Sequence, residues 1–187
     1  SRYFVESQFF TGVSYVQLRK SDPAIQAFQR IVDAKGGESR MMDLALLSIA
    51  RTYYSTSIRL DDKKKPFVDS KRLGAAVDAW SRIDMTSEYW LGGLFEQAWA
   101  YFLAGDYPRA LGNLQTVDAP YFSAELYPEA DILRANIMLS LCRYDEATTT
   151  AARMQKKYEP IQKELTAMMD RLKGDANEQR FFQLLKD

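Results

Sequence analysis

Apolar side chains recur every three or four positions along most of the chain, and polar punctuation cuts them into segments of helical length. Residues 98 to 114, AWAYFLAGDYPRALGNL, show the unit most clearly. Ala98, Tyr101 and Phe102 recur at helical spacing, Gly105 supplies a stop, and Asp106 with Pro108 supplies a new start, which predicts two helices folded onto one another. Small residues stand where the two must approach closely, Ala98 on the first and Ala110 on the second, with Tyr101 filling the adjacent gap.

The same patterning extends to the rest of the chain. Phe4, Val5, Phe9, Val13, Val16 and Leu18 predict a first helix over Ser1 to Arg19, and Asp22 as N-cap with Pro23 at the first helical position predicts a second, running to Ala34. Gly36 and Gly37 end it, and Met41, Leu44, Leu47, Ala50 and Tyr54 mark a third helix from Ser39 to Leu60. The polar run Asp61 to Pro66 reads as a solvated loop, after which a helix resumes near Asp69 and Ser70 and ends near Asp84. Ser87 and Glu88 open a fifth helix to Ala104, in which Gly92 and Gly93 imply close packing or a bend; a sixth covers Tyr107 to Val117. Pro128 starts a seventh, with Ala130, Leu133, Ile137 and Leu141 facing a core, and Arg143 to Ala147 begin an eighth that stops before Pro160. Pro160 opens a ninth, ended by Gly174, and Asp175 caps a tenth carrying Phe181, Phe182, Leu184 and Leu185. Nothing reads as a strand.

The offsets between segments define a repeat. Ala76, Trp80 and Ile83 match Ala110, Leu114 and Val117 at a separation of 34, and Ala98, Tyr101 and Ala110 return as Ala135, Met138 and Ala147 at 37, with three extra residues in the loop before Tyr127. Gly12, Tyr15, Ala24 and Phe28 repeat the figure at the N-terminus; Ala50 and Tyr53 begin a further copy that needs about 14 more residues before Ala76, supplied by the lysine-rich loop. With these residues the chain resembles the tetratricopeptide repeat (TPR) family, in which a small residue and an aromatic three positions later on one helix pack against an alanine on the next. The tryptophan expected early in each first helix is absent, and the closing proline is clear only at Pro160. Within the family, YPEADILRANIMLSLCRYDEA followed by KYEPIQKEL looks like a subgroup of bacterial cell-envelope repeat proteins, including ones similar to a gliding-motility component.

The expected architecture is all-α: one TPR-like domain over 1–187, a right-handed superhelix of four helical hairpins at about 1–38, 39–86, 87–120 and 121–159, with capping helices over 160–187 that hide the last apolar face from water. The 187 residues, 47% of them apolar, suffice for a sizeable core. Because the chain opens on Ser1, it reads as a piece of a longer protein.

Composition narrows the chemistry. Twenty-five basic and 25 acidic side chains cancel, so no net field draws nucleic acid or an anionic surface. The chain contains no histidine, the commonest metal ligand and general base, and its single cysteine excludes an internal disulfide. No run reaches the roughly 20 apolar residues that cross a bilayer. Cys142, at the end of the seventh helix among Leu139, Leu141 and Tyr144, reads as a buried structural thiol, and Met41, Met42, Met168 and Met169 as core fillers. Asp61 and Asp62 are adjacent on a loop and do not flank a substrate bond, so the chain is expected to be no enzyme and to need no cofactor or metal.

What remains is a surface. In the family register the concave face is lined by Phe9, Val13 and Val16, then Leu47, Arg51 and Tyr54, then Phe95, Trp99 and Phe102, then Ile132, Asn136 and Leu139. Family members that grip a C-terminal carboxylate use lysines and asparagines there; Arg51 and Asn136 alone have such chemistry here, which argues against a carboxylate clamp. Each aromatic buries roughly 150 to 250 Å² when covered, so Phe95, Trp99 and Phe102 form a patch that needs an occupant. One reading is a non-enzymatic scaffold that binds an apolar or amphipathic helical peptide of a protein partner within a larger assembly, with a lean to the bacterial cell envelope (periplasm). The other is a structural spacer or self-associating homo-oligomeric module whose final helices fill the groove.

Overall fold

The computed structural model describes residues 2–34 and 38–171. Contacts divide the chain into two compact units, Ser1–Glu125 and Leu126–Asp187. The first holds α1 (Arg2–Gln17), α2 (Ser21–Val32), α3 (Ser39–Ser55), β1 (Ile58–Leu60), β2 (Pro66–Val68), α4 (Ser70–Ser81), α5 (Trp90–Leu103), α6 (Tyr107–Val117) and a 3-10 turn at Pro120–Phe122; the second holds α7 (Pro128–Ser140) and α8 (Tyr144–Arg171). In the first unit each α-helix packs on the next, and in the second α7 packs on α8. The chain has an all-α helical-repeat fold, with one small β-hairpin among the described residues.

The small positions of the repeat are where the helices close on one another. A Cβ added to Gly12 on α1 would lie 2.5 Å from Cε1 of Phe28 on α2, so only glycine leaves room for that ring. Ala24, Ala50, Ala76, Ala98 and Ala110 are all fully buried. Gly93 justifies the expectation of close packing: its Cβ would meet Ile83 Cδ1 at 3.1 Å and Trp80 Cδ1 at 3.3 Å. Trp80 also stacks on Tyr54, with ring centroids 5.8 Å apart. Polar ties supplement these contacts. Gln97, buried on α5, donates to Val77 O (3.1 Å) and Ser81 Oγ (2.8 Å) on α4 and accepts from Asn113 Nδ2 (2.9 Å) on α6, while the same Asn113 amide donates to Leu94 O (3.0 Å). In the second unit Arg153 on α8 reaches the buried carboxylate of Asp131 on α7.

The helices α1, α5 and α7 end identically. Arg19 (φ 56°), Gly105 (φ 74°) and Cys142 (φ 58°) take the left-handed conformation, and the next N–H donates back to the carbonyl five residues earlier: Lys20 to Tyr15 (2.8 Å), Asp106 to Tyr101 (2.9 Å) and Arg143 to Met138 (2.8 Å). This is the Schellman closure, which satisfies carbonyls that the helix end leaves orphaned. Each acceptor is the residue three positions after the small one in the repeat figure, so in these helices the spacing of the motif and the site of the turn are one feature.

Several expectations are corrected. The second helix starts at Ser21, with Lys20 rather than Asp22 at the N-cap and no side-chain cap. The third ends at Ser55, not Leu60, and the supposed loop is a hairpin: Ile58–Leu60 pairs antiparallel with Pro66–Val68. Its β-branched and aromatic residues favour strand, Pro66 blocks helix, and the Asp61 carboxylate accepts from the N–H groups of Lys63 and Lys65 (2.8 Å each) to fix the turn, with Lys64 left-handed at φ 58°. The fifth helix begins at Trp90, because Asp84 holds a turn by accepting from the Thr86 hydroxyl (2.6 Å) and amide (2.8 Å). The eighth does not stop before Pro160 but passes through it to Arg171, so no separate ninth helix begins there. Pro160 has no N–H to donate to the Lys156 carbonyl, and both residues are exposed. Gly36, Gly37 and the predicted tenth helix lie outside the described residues.

Candidate functional site

The neighbouring first-position helices α3 and α5 place four side chains at one shallow cavity of about 370 Å³: Arg51 and Tyr54 from α3, Glu96 and Trp99 from α5. The spacing explains the grouping, since residues three apart on a helix share a face. The Arg51 guanidinium forks onto the Glu96 carboxylate, Nε at 2.9 Å from Oε2 and Nη2 at 2.5 Å from Oε1. That hydrogen bond holds Arg51 above the ordinary arginine range against the opposing effect of burial. Burial first, and the Glu96 charge second, push the Tyr54 hydroxyl above its usual value, so at neutral pH it remains a protonated donor. Trp99 stands edge-on to Phe102 (6.0 Å, 87°), and Phe102 in turn leans on Tyr107 (6.0 Å). The result is an aromatic wall with a neutralised ion pair at its lip.

Of the residues expected on the concave face, the structure thus brings Arg51, Tyr54 and Trp99 together, with Phe102 edge-on to Trp99. Phe95 is half-buried on the same helix. Leu47 is corrected: it is 4% exposed and belongs to the core, because α3 is covered on both sides by α2 and α4. Phe9 is half-buried and turns its ring onto Phe28 (5.7 Å), whereas Val13 and Val16 on α1 are exposed. In the second unit Ile132 and Leu139 are exposed on α7 and Asn136 is half-buried. Cys142 is also corrected, since it is exposed on the left-handed turn after α7 rather than buried within it. Glu96 escaped sequence reasoning. It lies 45 positions from Arg51, and no local pattern marks it.

Two other concavities are weaker candidates. Ser39, Arg40, Asp43, Thr86, Ser87 and Glu88 surround one of about 260 Å³, where Arg40 pairs with Glu88 (2.5 Å) and Asp43 accepts from the Asp84 N–H (3.3 Å); these contacts fasten the turn before α5 to α3. A wider, open concavity of about 830 Å³ follows α8 from Ala151 to Asp170, with Tyr158 as the aromatic among its lining residues. Among the described residues no three His, Cys, Asp or Glu gather in a group able to hold a metal ion, and no helix is long and apolar enough to cross a membrane.

No protein-family model matches the chain, and no curated protein does. Among solved structures it is similar to two crystal structures of MamA. One has a TM-score of 0.64 at 16% identity, covering 85% of this chain and 81% of that one; the other has a TM-score of 0.64 at 15% identity, covering 85% and 75%. This likeness shows the fold, an all-α, TPR-like helical repeat.

Proposed function

We propose that the chain is a non-enzymatic protein-interaction scaffold, and that the α3–α5 face takes apolar side chains of a helical segment from a protein partner. The observation that supports this reading is Trp99, held edge-on by Phe102 beside an ion pair that already satisfies its own charges. Aromatic anchors in such settings carry a large share of interface energy, and the Arg51–Glu96 lip offers polar contacts to the rim of an amphipathic helix without demanding a charged ligand. Because Arg51 is committed to Glu96, it is not free to grip a carboxylate terminus. Phe9, Val13, Phe95 and Phe102 are the further contact candidates in the first unit, and Ile132, Asn136 and Leu139 are candidates on the second unit taken by itself.

The test is a thermal melt and a quantitative pull-down with the Trp99→Ala chain. Partner binding should fall by about 2 kcal/mol, while stability falls by about 1 kcal/mol, the worth of one aromatic pair. If the chain fills this face itself, the same change costs about 3 to 5 kcal/mol of stability, as for a fully buried aromatic, and no partner is lost. A variant that melts and binds like the parent removes Trp99 from both roles.

A further inference from the structure

The β1–β2 hairpin is set into the repeat between α3 and α4, and every residue of both strands is exposed. Two strands alone are marginal in water, and a third strand is the usual remedy. Here the ladder shows which edge can receive one. Asp69 N–H donates to Ser57 O (2.7 Å) and Asp61 N–H to Lys65 O (2.9 Å), so hydrogen-bonded pairs alternate through 57/69, 59/67 and 61/65. Ile58 and Leu60 fall between them and aim their N–H and C=O groups away from β2. On β2 the outward groups belong to Val68 and Pro66, and Pro66 has no N–H to give. The β1 edge is therefore a full row of donors and acceptors and the β2 edge is broken.

Side-chain chemistry selects the occupant. Ile58, Leu60, Pro66 and Val68 share one face of the ribbon, with Ile58 55% and Leu60 65% exposed, while Arg59 and Phe67 share the other. Arg59 reaches Asp69 at only 3.5 Å, and the Asp61 carboxylate is held by the turn amides, which leaves Asp62 as the other acid of a run that also carries Lys63, Lys64 and Lys65. A second copy does not suit this edge: antiparallel pairing of two β1 strands centred on Arg59 sets like charges directly opposite, and pairing with the other copy's β2 meets Pro66. We infer that the β1 edge takes an extended segment of a different protein by strand addition, a segment with apolar residues flanking an acidic one opposite Arg59 and further acidic residues toward the lysine tip. Main-chain hydrogen bonds from Ile58 and Leu60 supply affinity and the charges fix direction. This site is separate from the α3–α5 face and is tested separately from it.

The probe is a fluorescein-labelled peptide, Ser-Val-Glu-Val-Glu-Asp-Glu-Ser, followed by anisotropy against the full chain. Saturable binding is expected, with the lysine-for-acid counterpart at least about tenfold weaker. Leu60→Pro removes an outward donor yet no ladder donor, and Arg59→Glu reverses the central charge. Each should weaken binding about tenfold or more with the helical melt unchanged, whereas Trp99→Ala leaves it as in the parent. Hydrogen exchange at the Ile58 and Leu60 amides should slow when the peptide is bound, a readout that holds even if a variant misfolds. Absence of saturable binding, equal binding of the basic counterpart, or indifference to Leu60→Pro with unprotected amides overturns the proposal. Binding of phosphatidylglycerol vesicles in place of the peptide, lost in Lys63→Glu, overturns it in favour of a lipid surface.

Discussion

The α5–α6 and α7–α8 pairs are built on the same figure, Ala98, Tyr101 and Ala110 in one and Ala135, Met138 and Ala147 in the other, yet they are held differently. In α5–α6 both alanines are fully buried, and the polar tie across the pair is neutral, an amide network from Gln97 to Asn113. In α7–α8 Ala135 is only half-buried, Ala147 is 6% exposed, and the tie is ionic, Arg153 on buried Asp131. The second helices also differ in reach: α6 stops at Val117, before the Pro120 turn, while α8 continues through Pro160 for 28 residues. The difference teaches that the small-residue figure sets which helices pair and where they touch, but leaves the polar tie and the helix length to other residues.

The largest expected effect tests that claim directly. Ala110→Leu should destabilise its unit by about 1 to 3 kcal/mol, because a fully buried alanine has no free space around it for the further heavy atoms of leucine. Ala147→Leu should cost less than that, since Ala147 keeps 6% of its surface exposed and Ala135, the small residue of its figure, is only half-buried. Chemical denaturation of the two variants measures both. Equal losses break the comparison and make the two contacts equivalent.

How much of this was legible in the sequence depends on how local each signal is. Asp106 with Pro108 and the lone Pro128 place the starts of α6 and α7 where the structure has them, because capping and proline chemistry act within one turn. Gly12 and the buried alanines were legible because the repeat supplies the long-range register that a single segment lacks. The hairpin was not: Ile58, Arg59 and Leu60 continue the apolar spacing of α3, and the choice of strand rests on the pairing with Pro66 to Val68. At the candidate site, Arg51, Tyr54 and Trp99 followed from the register, whereas Glu96 did not, since an ion pair across 45 positions leaves no trace in either segment. Leu47 was misplaced because helical spacing gives a residue's face without telling whether one neighbour or two cover it.

The polar ties should separate next. Arg153→Ala strands a buried carboxylate and should cost about 2 kcal/mol, as for a hydrogen bond to a charged group. Asn113→Ala takes a donor from Gln97 and from the Leu94 carbonyl and should cost about 1 kcal/mol, as for neutral partners. Denaturation midpoints in this order sharpen the contrast between an ionic and a neutral tie. The reverse order would mean that water reaches Asp131 once Arg153 is gone.

The smallest effect concerns the turn that closes the first helix of each pair. Gly105 and Cys142 occupy the same position, both left-handed and both followed by the same closing hydrogen bond. Glycine adopts that conformation without steric cost, but a residue with a Cβ meets its own carbonyl, a penalty of roughly 1 to 2 kcal/mol. Glycine also loses more freedom on folding, which offsets part of the gain. Cys142→Gly should therefore stabilise the α7–α8 pair by about 1 kcal/mol, and Gly105→Ala should destabilise α5–α6 by about the same amount. Neither change disturbs packing, because Cys142 is exposed and a Cβ at Gly105 would meet nothing within 4 Å. The two variants isolate backbone strain from every other difference between the pairs. Thermal melts moving in opposite directions would show that the closures are one turn built with two residues. If Cys142→Gly lowers the melting temperature instead, the exposed thiol makes a stabilising contact in solution and the two turns are not equivalent.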